Sequence, residues 1–203
     1  MLVNESVKET FQLKGSRAYV HGTSIIDSLK RHAKALDLTL NNLDISFRQQ
    51  ILSCDCIWHF NSCEKVISEN QAFCSGSFSS NNNEVHFSLT PNTQRVKSSS
   101  IPYDETAITS LAVFDDKSIS MTISAQYSLI ENIVSLTKRY NNTENPLVRG
   151  QWLFGRLITE KYIDSSGTIA IKEISKIPGK LIKSEILINN EQFGIIFFTA
   201  SNP

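Results

Sequence analysis

The sequence carries no net charge, because twenty basic residues stand against twenty acidic ones. That balance excludes a summed field drawing the chain to nucleic acid or to an anionic membrane surface. It also lacks an uninterrupted apolar run long enough to cross a bilayer, and a basic start followed by an apolar segment. Neither a transmembrane helix nor a signal peptide is expected, and a cytoplasmic protein is the default. Cysteine is scarce and crowded into Cys54, Cys56, Cys63 and Cys74, with His59 among them. The spacing fits no zinc ribbon or finger, Cys54 and Cys56 alternate along an expected strand, and disulfides are disfavoured without a secretory signal. Reduced core thiols are therefore expected, with no metal and no cofactor.

What is present suffices for a real core: 203 residues, 40% of them hydrophobic, make one domain or two small ones. The organising stretch is Tyr19-Val20-His21-Gly22-Thr23-Ser24-Ile25-Ile26-Asp27-Ser28-Leu29, where an extended segment runs into a helix through a polar, glycine-containing junction. Ile25, Ile26, Leu29, Ala33 and Leu36 share one helical face. Thr23 or Ser24 is the expected cap, and the turn pair Asn41-Asn42 the expected limit. Residues 1 to 10 read as a loose lead-in and Phe11 to Val20 as extended. After the helix, Leu43, Ile45 and Phe47, then Cys54, Cys56, Trp58 and Phe60, show the two-residue period of strands. Phe73 to Phe78 reads as a further strand, Asn81-Asn82-Asn83 as a turn, and Val85, Phe87 and Leu89 as the inward side of the returning strand.

Pro91 to Pro102, polar and aperiodic, reads as a linker. Beyond it the pattern starts again. Ile108 to Phe114 and Ile119 to Ser124 are expected strands about Asp115-Asp116, and Leu129, Ile130, Ile133, Leu136 and Tyr140 form a second helical stripe. Ile25, Ile26, Leu29 and Leu36 match Leu129, Ile130, Ile133 and Tyr140 at a constant offset of 104 residues. Phe73, Phe78, Val85, Phe87 and Leu89 match Leu181, Ile186, Phe193, Ile195 and Phe197 at an offset of 108, which also lays Asn81-Asn82 on Asn189-Asn190. The expectation is an α+β protein made by internal duplication: a lead-in over 1–10, a first half over 11–90, a linker over 91–106 and a second half over 107–203. Each half buries its helix against an antiparallel sheet, and two such sheets joined would form one continuous curved sheet around two central helices.

The first helix start is the candidate site. Amides at a helix N-terminus hold partial positive charge, and a thioester carbonyl becomes negative when attacked by water or when a neighbouring carbon loses a proton. Gly22 and Thr23 would supply that cradle with Ser24 beside them, and His21 would move a proton near neutral pH. Equally open is a structural reading, in which Gly22 makes the bend, His21 is a satisfied core or surface histidine, and Thr23 or Ser24 only caps. Tyr127 and Ser128, at the second helix start, are candidates to reach the site from the other half. Arg48 is a candidate to meet a phosphate or carboxylate. Asp27 and Glu131 read as charges that favour the helix dipole. Because Ala125-Gln126 stands where the first half has His21-Gly22, one site per chain is expected.

This order of elements resembles the hot-dog superfamily, whose members wrap an antiparallel sheet around a central helix and mostly act on acyl thioesters of coenzyme A or carrier protein. Tyr19-Val20-His21-Gly22-Thr23 resembles the His-Gly approach to the central helix of (R)-specific enoyl-CoA hydratases, and Ile45-Ser46-Phe47-Arg48-Gln49-Gln50-Ile51 the first strand after it. The duplicated form is similar to type-II acyl-CoA thioesterases. The resemblance implies a double hot-dog fold and a thioesterase or hydratase/dehydratase with an acyl-CoA or acyl-carrier-protein substrate. It also implies an acyl tunnel between the halves, and either a pseudo-dimeric monomer or a homodimer. The chain departs from the family in lacking an Asp-x-Asn-Pro-x-His motif before the helix and an acid at the second helix start, which reads Ala125-Gln126-Tyr127-Ser128-Leu129. The alternative is a non-catalytic binding or assembly protein on the same scaffold.

Overall fold

The computed structural model describes residues 3–52, 54–62, 72–92, 99–162 and 164–201, so Cys63 and positions 93–98 of the expected linker lie outside the described residues. The chain divides into two compact units, Met1–Tyr103 and Asp104–Pro203. The first contains β1 (Asn4–Thr10), β2 (Leu13–Lys14), α1 (Gly22–Ala35), β3 (Asn41–Phe47), β4 (Asp55–Asn61), β5 (Cys74–Ser80), β6 (Asn83–Pro91) and β7 (Ser100–Ile101). Its sheet runs β1-β4-β6-β5-β3 with every pair antiparallel. The short strands β2 and β7 pair in parallel, so part of the expected linker is ordered against the approach to α1.

Helix α1 forms where the apolar stripe foretells it. Ile25, Ile26, Leu29 and Ala33 are buried, and the core is completed by Leu43, Ile45, Trp58, Phe60, Phe78, Phe87 and Leu89 from the strands. It ends because Asp37 turns left-handed at φ 56°, letting the Leu38 amide donate back to the Ala33 carbonyl at 2.8 Å. Three expectations change here. Residues 4–10 are no loose lead-in: all seven pair with β4, from Asn4↔Asn61 to Thr10↔Asp55. An edge strand with mostly solvated side chains leaves no apolar alternation to read. Within Phe11 to Val20 only Leu13–Lys14 is strand, because the chain turns at Gly15 (φ 62°), and it is Lys14 rather than Leu13 that is buried. Asn41-Asn42 belongs to β3, where Asn42 (φ 48°) makes a bulge instead of a turn.

The second unit contains α2 (Glu105–Ile108), β8 (Val113–Asp115), β9 (Ser118–Thr122), α3 (Leu129–Glu144), β10 (Trp152–Lys161), β11 (Thr168–Ile177), β12 (Leu181–Ile188) and β13 (Glu191–Ala200). Its sheet order is β10-β13-β12-β11-β9-β8. Helix α3 lies across β9 to β12 with Leu129, Ile130, Ile133, Leu136 and Tyr140 buried, the stripe expected of it. The strand expected over Ile108 to Phe114 is replaced at its start by a helical turn, because the Asp104 carboxylate accepts from the amides of Thr106 and Ala107.

Both units place a helix before two strands and a hairpin, and both hairpins turn on an asparagine pair with left-handed backbone: Asn81 and Asn82 at φ 50° and 62°, Asn189 and Asn190 at 53° and 67°. Two consecutive positive φ values match the twist of hairpin strands, which is why asparagine stands there twice. The residue-by-residue overlay does not persist. In the first unit the second hairpin strand, β6, lies beside β4, whereas in the second unit the first hairpin strand, β12, lies beside β11. Phe193 also sits at a register shift between β12 and β13, after which Ile196 and Phe198 are buried while Ile195 and Phe197 are half-buried. One inserted residue reverses the parity of everything beyond it.

Candidate functional site

The start of α1 is assembled from three pieces of the first unit. Lys14 arrives on β2, Tyr103 follows β7, and His21 is the N-cap of α1 in extended backbone (φ −71°, ψ 138°). The pairing Lys14↔Ile101 brings the first two together, fixed by the Gly15 amide donating to the Ile101 carbonyl (2.8 Å) and the Ser100 hydroxyl donating to the Gly15 carbonyl (2.6 Å). The expected cap at Thr23 or Ser24 is corrected: His21 takes that position and its side chain caps nothing. Its Nδ1 instead lies 2.7 Å from the Thr23 hydroxyl, which also accepts a hydrogen bond from the Lys14 ammonium at 2.9 Å. All three side chains are buried, Thr23 completely and the other two at 6% exposure, while Gly22 and Ser24 are half-buried.

The Tyr103 ring gathers the neighbourhood. The His21 ring lies 5.5 Å from its centroid, the Lys14 ammonium 5.0 Å and the Arg17 guanidinium 5.3 Å. Two cations thus share one aromatic face beside the start of α1. The amides of Ser24 and Ile25 donate to the His21 carbonyl, so the amides preceding them, of Gly22 and Thr23, come before the helical ladder begins.

The remaining expected residues stand elsewhere. Arg48 is exposed beyond β3, with Nε and Nη2 each 3.3 Å from the Ser75 hydroxyl. Tyr127 and Ser128 belong to the second unit. Ser128 is the N-cap of α3 in a capping box, accepting from the Glu131 amide while the Glu131 carboxylate accepts from the Ser128 amide at 2.8 Å. Buried Asn132 ties down the loop before it, accepting from the Ser124 amide and donating to the carbonyls of Ser124, Tyr127 and Ser128. Polar groups at this second helix start thus serve the backbone. Glu131 is in the first turn of its helix as expected; Asp27 is not, since the first turn of α1 holds no acid.

Two arrangements escaped sequence reasoning. Glu9, on β1, takes three donors on one oxygen: the Ser28 hydroxyl (2.5 Å), His32 Nε2 (2.8 Å) and Arg31 (3.1 Å). Ser28 in turn accepts from the Trp58 indole N–H at 2.9 Å. Serine and histidine both address the carboxylate and not each other, so this is a clamp between the edge strand and α1 and lacks the nucleophile–base contact of a triad. No signal links residues so far apart in sequence, although Ser28 and His32 are one turn apart on α1. The second is a cleft of about 270 Å³ between α2 and α3, walled by Glu105, Thr109, Ser135, Lys138 and Arg139. Its cations have protein partners: Lys138 pairs with Glu105 at 2.9 Å and Arg139 donates to the Thr109 carbonyl. Among the described cysteines, Cys54, Cys56 and Cys74 are buried thiols outside any disulfide, and burial pushes the Cys56 thiol up to about 12 and raises Cys74 as well, which favours the protonated form of each.

No protein-family model matches the chain, and no curated protein matches its sequence. Solved structures resemble it in fold. A pyran synthase domain from module nine of the sorangicin pathway superposes with a TM-score of 0.53 at 10% identity, covering 100% of this chain and 97% of that one. The dehydratase domain of RzxB from Pseudomonas fluorescens gives the same TM-score, identity and coverage. A putative thioesterase II from Thermobifida fusca YX superposes at 0.55 with 9% identity over 100% of this chain and 96% of that one. These likenesses show the fold, which is the double hot-dog.

Proposed function

We propose that this chain binds an acyl thioester of coenzyme A or a carrier protein at the start of α1 and processes it, by hydrolysis or by adding or removing water. In this reading α1 and α3 are the central helices of the two hot-dog halves, and the site is single. The observation that carries it is the buried His21–Thr23 hydrogen bond set at the amide-bearing start of α1 beside two cations. His21 is the acid-base group, and the Gly22 and Thr23 amides face the carbonyl oxygen as it gains charge. The likeness in fold to a dehydratase domain and a thioesterase supports the substrate class and leaves the choice between the two reactions to experiment.

A second reading has its own observation. At the start of α3, Ser128, Glu131 and Asn132 bond local backbone groups in a capping arrangement, which supports a protein that holds the thioester without turning it over. Mass spectrometry after incubation with mixed acyl-CoAs separates them: free coenzyme A or a mass change of one water marks an enzyme, unchanged retention marks a binder, and neither event refutes both. For an enzyme, His21→Gln is expected to lower turnover by about a hundredfold or more, the usual worth of a placed acid-base group, with far-UV circular dichroism unchanged. Turnover retained in that variant ends the assignment of His21.

A further inference from the structure

We propose that Lys14 is a positioning residue for His21, fixing through the Thr23 hydroxyl which ring nitrogen carries the hydrogen. An ammonium has hydrogens to give and no lone pair, so in the 2.9 Å contact Lys14 donates and Thr23 Oγ1 accepts. That leaves the hydroxyl's own hydrogen to be directed at its other neighbour, His21 Nδ1, 2.7 Å away. Nδ1 is then the acceptor and the neutral ring carries its hydrogen on Nε2. The order of donation is Lys14 to Thr23 to His21, and it runs in one direction because its first member cannot accept.

The three side chains are at most 6% exposed, so water does not compete for these bonds. Lys14 itself is held by its strand and by the aromatic face of Tyr103 5.0 Å from the ammonium, which Arg17 shares at 5.3 Å. Reversing the chain would require the Thr23 hydroxyl to aim its hydrogen away from both neighbours while Nδ1–H donates to it, which leaves a buried hydroxyl hydrogen without an acceptor. The role of Nε2 as the atom that delivers or collects a proton is the consequence for chemistry. That consequence rests on the acyl-thioester reading; the assignment of the hydrogen does not.

The test is a long-range proton–nitrogen correlation spectrum of the histidine rings in the full chain, with His21 identified by its loss in His21→Gln. The wild-type ring is expected in the Nε2–H form with a bare Nδ1. Thr23→Ser retains the pattern, because the hydroxyl is kept. Thr23→Val and Lys14→Met, each close to the size of the residue it replaces, raise the share of the Nδ1–H form about fivefold, which is what losing one ordinary hydrogen bond is worth. An Nδ1–H ring in the wild type, or an unchanged ratio in a folded Lys14→Met variant, overturns the proposal. No substrate enters this measurement. The expected spectrum in a protein without turnover would therefore sink the proposed function alone, and turnover that depends on His21 with an Nδ1–H ring would sink the positioning role alone.

Discussion

Replacing Ser28 by alanine should destabilise the first unit more than a buried serine ordinarily does, because its hydroxyl serves two partners that cannot both find substitutes. Trp58 is 0% exposed, so the indole N–H that donates to Ser28 would be left in the core without an acceptor, at a cost of about 1–3 kcal/mol. Glu9 loses less, about 1 kcal/mol, since His32 and Arg31 still donate to it. A total of about 2–4 kcal/mol corresponds, for a chain of this length, to a fall in Tm of about 4–16 °C. Trp58→Phe removes the donor while keeping most of the ring. In that background Ser28→Ala strands no N–H, so the double variant should be more stable than the two single losses summed, by about 1–2 kcal/mol. Urea titrations followed by far-UV circular dichroism give the four stabilities without relying on the fluorescence of the residue being changed. A coupling below about 0.5 kcal/mol, the level at which independent sites add, would refute the network.

Two further outcomes test the strand packing. A Cβ on Gly76 would overlap the Asp44 carbonyl oxygen and press the Phe87 ring, so Gly76→Ala is expected to cost at least about 2 kcal/mol and to speed amide exchange along β3 and β5; unchanged exchange there would show that β3 gives way freely. Burial lowers the pKa of His59, which sits between the Ser6 and Thr90 hydroxyls at 3.0 Å each. The folded state then binds fewer protons than the unfolded chain, so this group's contribution is complete above the ordinary histidine value of 6.5 and is lost as pH falls below it towards the lowered value. Urea midpoints should drop more for the wild type than for His59→Gln between about pH 7.5 and 5.5, and equal drops would dismiss the effect.

Much of this was legible because burial imposes periodicity. The stripes Ile25–Ile26–Leu29–Ala33 and Leu129–Ile130–Ile133–Leu136–Tyr140 are the buried faces of α1 and α3, and the asparagine pairs at 81–82 and 189–190 both make tight hairpin turns, since few other residues accept left-handed backbone twice in succession. Strand β1 was hidden because an edge strand needs no apolar face, and the inward side of β13 came out reversed because the bulge at Phe193 inverts a pattern that reads smoothly in one dimension. At the candidate site, His21, Gly22 and Thr23 could be singled out as a contiguous junction. Lys14 and Tyr103 could not, since only the parallel pairing of β2 with β7 brings them to it. Glu9, Ser28 and Trp58 likewise meet through strand pairing and a helix face, and each alone is an ordinary residue for its element.

The opposite seating of the two hairpins limits what can be exchanged between the two units. Grafting residues 181–197 in place of 73–89 would match chain length and turn, yet it would deliver a ribbon whose inner and outer strands are transposed and whose last residues present the wrong side to the core. The two units are interchangeable as lists of elements but not as spare parts. Each hairpin is fitted to its own neighbours strand by strand.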